Sequence, residues 1–239
     1  MTLVGPHGFR GRIPLYPPTP GSLLAVAGLD VATDGALYLF DEASGNLIDH
    51  SGNGRDLIVG GAPTFGDDRN GHRGIYYPAL TAKHVANVIS VGAGESCLFG
   101  TIASFADAVH QTHVWGQFST GVAYAMLYWA GPTTLNWRAV SGATVSIAIT
   151  GVVKDNEPYF VGGQIDRSGP TMRILAARRG VAIKGSASAS GVGAVTDTFG
   201  VNAYAAANSV HHDYGFVAKG AQCEGATVLD SVAAKLGFL

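Results

Sequence analysis

Charge is scarce in this chain: only 13% of its 239 residues are Asp, Glu, Lys or Arg, about half the share near 25% of an ordinary soluble protein. With a formal charge of −2 and a pI near 6.4, there is no basic face on which phosphates could be neutralised, and nucleic acid is not an expected partner. Cysteine is rarer still. Cys97 and Cys223 are too few for a disulfide framework and too isolated for a CxxC metal site, so both read as small buried free thiols. Long apolar runs are also missing. Leu23–Leu29 is too short for a bilayer, and Ala139–Val153 alternates Ser and Thr with Val and Ile in the manner of a strand, so no membrane span is predicted. Met1–Pro20 is broken throughout by proline and arginine, which argues against a secretory leader. No G-x-S-x-G, H-E-x-x-H or G-x-x-x-x-G-K-[ST] occurs, which removes the nucleophile elbow, the zinc protease helix and the phosphate loop.

What the chain has in quantity is glycine, 34 residues, and an apolar share of 47%. The apolar share excludes disorder throughout. Met1 to Gly35 carries five of the ten prolines, Pro6, Pro14, Pro17, Pro18 and Pro20, so residues 1–35 read as an extended arm rather than a domain. Its side chains Phe9, Arg10, Ile13, Leu15 and Tyr16 are candidates for docking. Such a segment either packs on its own domain or becomes ordered against a neighbouring subunit.

From Ala36 onward, runs rich in Val, Ile, Tyr, Phe and Thr recur between Gly, Pro, Asn and Asp clusters, and fourteen strands are predicted over 36–239. Thr144–Thr150 is the clearest, with Val145, Ile147 and Ile149 on one side and Thr144, Ser146 and Ala148 on the other. One helix is predicted near the end, with Thr227 as its cap and Val228, Val232 and Leu236 as its apolar stripe. Many strands, short turns and one helix predict an all-β fold, an antiparallel two-sheet β-sandwich.

The stretch Leu37–Pro63, LYLFDEASGNLIDHSGNGRDLIVGGAP, resembles the opening of the laminin-G-like, concanavalin-A-like sandwich family. An aromatic strand leads through Asp41 and Glu42 to a D-x-SGNG turn, Asp49 to Gly54, before an apolar strand. Pro158–Gly180 resembles the family's central hairpin, Glu95–Phe105 an inner strand, and Tyr214–Leu239 a closing strand and short helix. The resemblance implies a jelly-roll sandwich over 36–239. Relatives that cleave polysaccharides flank an aspartate with two glutamates on one strand. Here the glutamates are Glu42, Glu95, Glu157 and Glu224, with no E-x-D-x-E run, so an enzyme of that type is not expected. Some relatives bind calcium through loop oxygens, for which Asp49, Asn53 and Asp213 are the candidates.

Other site readings are weaker. His110 and His113 in HQTH, and His211 and His212 before Asp213, read as structural, because strand residues three apart face opposite sides. Asp67 and Asp68 read as solvated turn residues. Tyr124, Tyr128 and Trp129 are candidates for stacking on a sugar, Tyr124 and Tyr128 on one face of their strand and Trp129 on the other.

The sequence-level expectation is therefore a non-enzymatic structural or interaction protein that displays a sandwich and docks through its arm. The setting expected is a bacteriophage virion, as capsid decoration, head fibre or tail component, made in the host cytoplasm without a signal peptide. Its partners would be other virion proteins or further copies of itself. The alternative is a carbohydrate-binding module or adhesin that recognises cell-surface glycans.

Overall fold

A computed structural model describes residues 28–67, 73–76, 83–105, 112–117, 123–152, 157–201 and 210–239. Its strands are β1 (Ala36–Tyr38), β2 (Ile58–Gly60), β3 (Thr64–Asp67), β4 (Arg73–Tyr76), β5 (Lys83–Val91), β6 (Cys97–Phe105), β7 (Thr112–Gln117) and β8 (Tyr124–Trp129), followed by β9 (Thr134–Ser141), β10 (Ala143–Thr150), β11 (Pro158–Asp166), β12 (Thr171–Arg178), β13 (Val181–Ser188), β14 (Val195–Val201) and β15 (Val210–Lys219). A 3-10 turn, Ala221–Cys223, and helix α1 (Val228–Lys235) complete the order. They form two antiparallel sheets. One runs β13-β12-β11-β6-β15-β4-β3, with β1 also on β15, and the other runs β10-β9-β8-β7-β14-β5-β2. This is the two-sheet sandwich that the strand pattern predicted. No helix among the described residues is long and apolar enough to cross a membrane.

The main core lies between the sheets. Trp115, Trp129 and Trp137 from the seven-stranded sheet meet Phe99, Phe105 and Phe199 edge to face, with ring centroids 4.7 to 5.5 Å apart. Such pairs add roughly 0.5–1.5 kcal/mol each beyond the area they bury. Along β10, Ile147 and Ile149 are buried while Thr144, Ser146, Ala148 and Thr150 are exposed, which is the alternation read from the sequence.

A second core covers the far side of the eight-stranded sheet. Phe160, Leu175, Tyr214 and Phe216 point outward from their strands and are capped by Leu29, Val31, α1 and Phe238. Every residue of β11 is consequently buried, the signature of a strand packed on both faces. The described residues show no corresponding apolar cluster on the outer face of the seven-stranded sheet, although Tyr124 and Asn136 on that face are buried.

Two sequence expectations change here. Strand β3 was not predicted; Thr64–Asp67 contains Gly66 and Asp67 and becomes a strand through its register with β4, from Thr64↔Tyr76 to Asp67↔Arg73. Thr227 makes no side-chain cap on α1; its carbonyl instead accepts from the Ser231 N–H at 2.9 Å. The helix buries Leu229, Val232 and Ala233, and Val228 and Leu236 lie on the margin. Of the predicted arm, residues 28–35 pack on the sandwich through Leu29 and Val31. Phe9, Arg10, Ile13, Leu15 and Tyr16 lie outside the described residues.

Candidate functional site

The SGNG turn is held by its own side chains. Asp49 is buried, and its carboxylate accepts from the backbone N–H groups of Leu37 and Ser51 through Oδ1 and of Arg55 through Oδ2 at 2.9 to 3.1 Å. The Asn53 amide donates to the carbonyls of Val31 and Gly35 at 3.0 and 2.9 Å. Arg55 pairs with Asp34, and Asp34 with Lys219, so the turn is stitched to the segment before β1 and to the end of β15. These oxygens do not fit the calcium role that the resemblance implies. Asp49 already serves three amides, Asn53 turns its donors inward, and Asp213 contacts His211 Nδ1 at 3.1 Å in β15.

Next to this turn, Asp41, Glu42 and His50 each place a ligand atom within 4.8 Å of the others. Glu42 accepts from the Ile48 N–H at 2.8 Å through Oε1, while Oε2 is covered and has no hydrogen bond. Burial pushes the Glu42 carboxyl above the usual carboxylate range.

Two histidines lie inside the fold. His212 is fully buried and stacks on Phe40 at 5.2 Å. Thr101 Oγ1 donates to the Tyr214 carbonyl at 2.8 Å and therefore accepts from His212 Nδ1 at 3.0 Å. His84, which sequence reasoning did not single out, is also buried, 2.8 Å from the Gly45 carbonyl, and burial lowers its pKa. His110, Asp68 and the side chains of His113 and Asp67 lie outside the described residues.

The three aromatic candidates do not form one platform. Trp129 is wholly buried against Phe105 at 4.9 Å, which removes it as a sugar contact. Ala125 and Leu127 share its inner face, so Tyr124, Met126 and Tyr128 occupy the outer face of β8. Tyr124 is buried and Tyr128 half-buried. Register then brings in two residues that sequence reasoning missed. Asn136 lies opposite Tyr128 and Arg138 opposite Met126 on β9, both outward because Leu135, Trp137 and Ala139 fill the core. The Arg138 guanidinium sits 5.8 Å from the Tyr124 ring centroid, with its Nε buried and unpartnered. Asn136 is 8% exposed and its Oδ1 has no hydrogen-bond partner. An amide and a guanidinium with unused hydrogen-bonding capacity thus stand beside two tyrosines on one sheet face. The signal that could have found them is the register of the β8–β9 hairpin, which aligns outward positions once the inner face is known.

A surface cleft of about 250 Å³ between β12, β13 and α1 includes Arg173, Lys184, Ser186 and Asp230. Its charges are already matched, Arg173 with Asp166 at 2.8 Å and Lys184 with Asp230 at 2.6 Å.

No family model matches the chain, and no curated protein matches its sequence. Solved structures do resemble it. The binding domain of botulinum neurotoxin serotype D superposes with a TM-score of 0.61 at 11% identity, over 87% of this chain and 52% of that one. The serotype C1 binding domain gives 0.62 at 11%, over 87% and 53%. The neurotoxin DC binding domain in complex with SialylT gives 0.62 at 9%, over 87% and 52%. A related structure is the DC binding domain in complex with rat synaptotagmin II, and another concerns the interaction of type C toxin with two ganglioside molecules. The chain spans about half the length of the structures it matches, and likeness at this identity speaks to fold alone. The chain has an antiparallel β-sandwich fold similar to that of those binding domains.

Proposed function

We propose that this chain is a recognition module that binds a saccharide on the outer face of its seven-stranded sheet and carries out no chemistry on it. The observation that supports this is the pair Tyr128 and Arg138, both half-buried on that face, backed by the buried Tyr124 and Asn136. Aromatic rings pack on the apolar face of a pyranose, and amide and guanidinium groups supply the directed hydrogen bonds that fix its orientation. Arg138 favours a glycan that carries a carboxylate. The toxin binding domains of the same fold, which engage SialylT and gangliosides, are consistent with this reading.

The test is a glycan array with acidic and neutral sugars, read for the full chain and for Tyr128→Ala, Asn136→Ala and Arg138→Ala. Loss of acidic-glycan binding in all three, with unchanged thermal unfolding, is the expected result. Binding unaffected by all three variants, or no binding to any glycan, refutes it. Trp129 is unsuitable for this test because its removal attacks the core.

The laminin-G assignment and the phage-virion setting are separate proposals. The first rests on Leu37–Pro63 together with Glu95–Phe105, Pro158–Gly180 and Tyr214–Leu239, and the second on a sandwich of a mostly extracellular family, no visible export signal and the proline-rich apolar residues 1–35. In the second, the arm with Phe9, Arg10, Ile13, Leu15 and Tyr16 docks on other virion proteins. Detection of the chain in purified phage particles, and its loss when residues 1–27 are deleted, would support that setting.

A further inference from the structure

A sheet edge offers unpaired N–H and C=O groups to any passing strand, and proteins blunt such edges by shortening them, bending them or placing charge on them. Among the described residues, four edges of this sandwich are treated in that way. Strands β1 and β2 are three residues long and β3 four, with Gly66 at φ 118°. Strand β13 has eight residues but carries Lys184, paired with Asp230. Strand β10 is the exception. It is ATVSIAIT, eight residues with no charge and no proline. It runs in unbroken register with β9 from Ala143↔Ser141 to Thr150↔Thr134, so no bulge twists it away.

We propose that β10 is an association strand through which two copies of this chain join edge to edge into one continuous antiparallel sheet. The proposal is independent of the saccharide reading. The Gly151 N–H bonds to the Thr133 carbonyl at 3.1 Å, which fixes the alternation along the hairpin. Residues 145, 147 and 149 therefore turn their backbone groups toward β9, and Thr144, Ser146, Ala148 and Thr150 turn theirs off the sheet. The side chains of those four are exposed, small and uncharged.

A second copy fits this edge because the strand is complementary to itself. With a two-fold axis at Ile147, Ile147 faces its own copy, Val145 faces Ile149, Thr144 faces Thr150 and Ser146 faces Ala148. Inner residues meet inner residues, outer meet outer, and branched side chains oppose branched ones, which is a favourable cross-strand arrangement. The free groups of 144, 146, 148 and 150 then pair with one another across the axis. An uncharged strand offers nothing to select a foreign partner, whereas closed two-fold pairing is the commonest way soluble chains assemble. The neighbouring edge supports the same side of the molecule. Strand β13 packs next to β10, where Gly185 lies under Ile147 and Ile149. It opens with Val181, at 64% the most exposed of the large hydrophobic side chains among the described residues.

The test is sedimentation of the full chain over a range of concentrations, with hydrogen exchange of the 144–150 amides at both ends of that range. Dimers are expected, with those amides slowing as dimer forms. The double variant Ser146→Lys with Ala148→Lys sets lysine against lysine across the axis, so its dimer dissociation constant should rise about tenfold or more. Its circular dichroism and thermal unfolding should remain those of the parent. Mixing it with Ser146→Glu with Ala148→Glu should restore a mixed dimer. A chain that stays monomeric at all concentrations overturns the proposal, as does a dimer indifferent to the double variant. Protection of 144–150 gained only with a different protein also overturns it.

Discussion

Trp137 of the seven-stranded sheet lies across Gly163 of the other, and its indole N–H donates to the carbonyl of Gln164, the next residue, at 3.2 Å. The device is repeated. Trp115 lies on Gly215, where an added Cβ would meet the ring at 2.7 Å, and donates to the Phe216 carbonyl at 3.1 Å. In each case the missing side chain lets a large ring approach the opposite backbone closely enough to satisfy its only polar atom. A Cβ at Gly163 collides with the indole. Gly163→Ala should therefore destabilise the fold by about 1–3 kcal/mol, read as a lower urea midpoint with an unchanged slope.

Asp49 supports the turn at Asp49–Gly54 rather than a metal. Asp49→Ala leaves the N–H groups of Leu37, Ser51 and Arg55 without their acceptor, at a cost of about 1–3 kcal/mol for each one that water cannot reach. The expected outcome is a fall in melting temperature for the variant. Millimolar calcium should leave the melting temperature of the parent protein unchanged, and a rise on calcium addition would contradict this account.

Asp166 sets an acid limit. Burial opposes its charge, but the Ser168 hydroxyl, Arg173 and the Gly225 N–H outweigh that and bring the carboxyl down to about 2 from 3.8. A group with a depressed folded pKa stabilises the fold fully above its unfolded value and ceases to do so as pH falls through the folded one. Stability should thus decline between about pH 4 and pH 2 through this group. Asp166→Asn should be less stable than the parent at neutral pH and should lose less on acidification, as measured by urea unfolding at each pH.

Cys97 and Cys223 are both buried and unpaired. Burial pushes the Cys97 thiol up to about 12 and that of Cys223 higher than its ordinary value as well. Since the thiolate is the reactive species, neither should be alkylated by iodoacetamide at neutral pH in the native state. Both should react once the chain is unfolded in urea, as counted by mass spectrometry.

Much of the sandwich was legible in the residues. Strands β6, β10, β11 and β12 begin and end where alternation and turn residues put them. What could not be read is what depends on distant partners. Thr64–Asp67 has no strand composition of its own and is made by β4. The second core could not be read, because its cap comes from residues far along the chain, Leu29 and the C-terminal helix. On β8 the alternation was plain, but which aromatic set faced inward was not, since Tyr and Trp both suit a core. Asn136 and Arg138 became visible only when pairing with β8 placed them beside Tyr128 and Tyr124.

The burial of β11 on both faces has an evolutionary corollary. Substitutions in the double-packed layer are constrained from both directions, so that layer should change slowly among descendants of this chain. The outward row of β10, whose alternate side chains are exposed, answers to one neighbour fewer. A lineage could therefore rewrite that surface repeatedly and explore new specificities without endangering the fold beneath it.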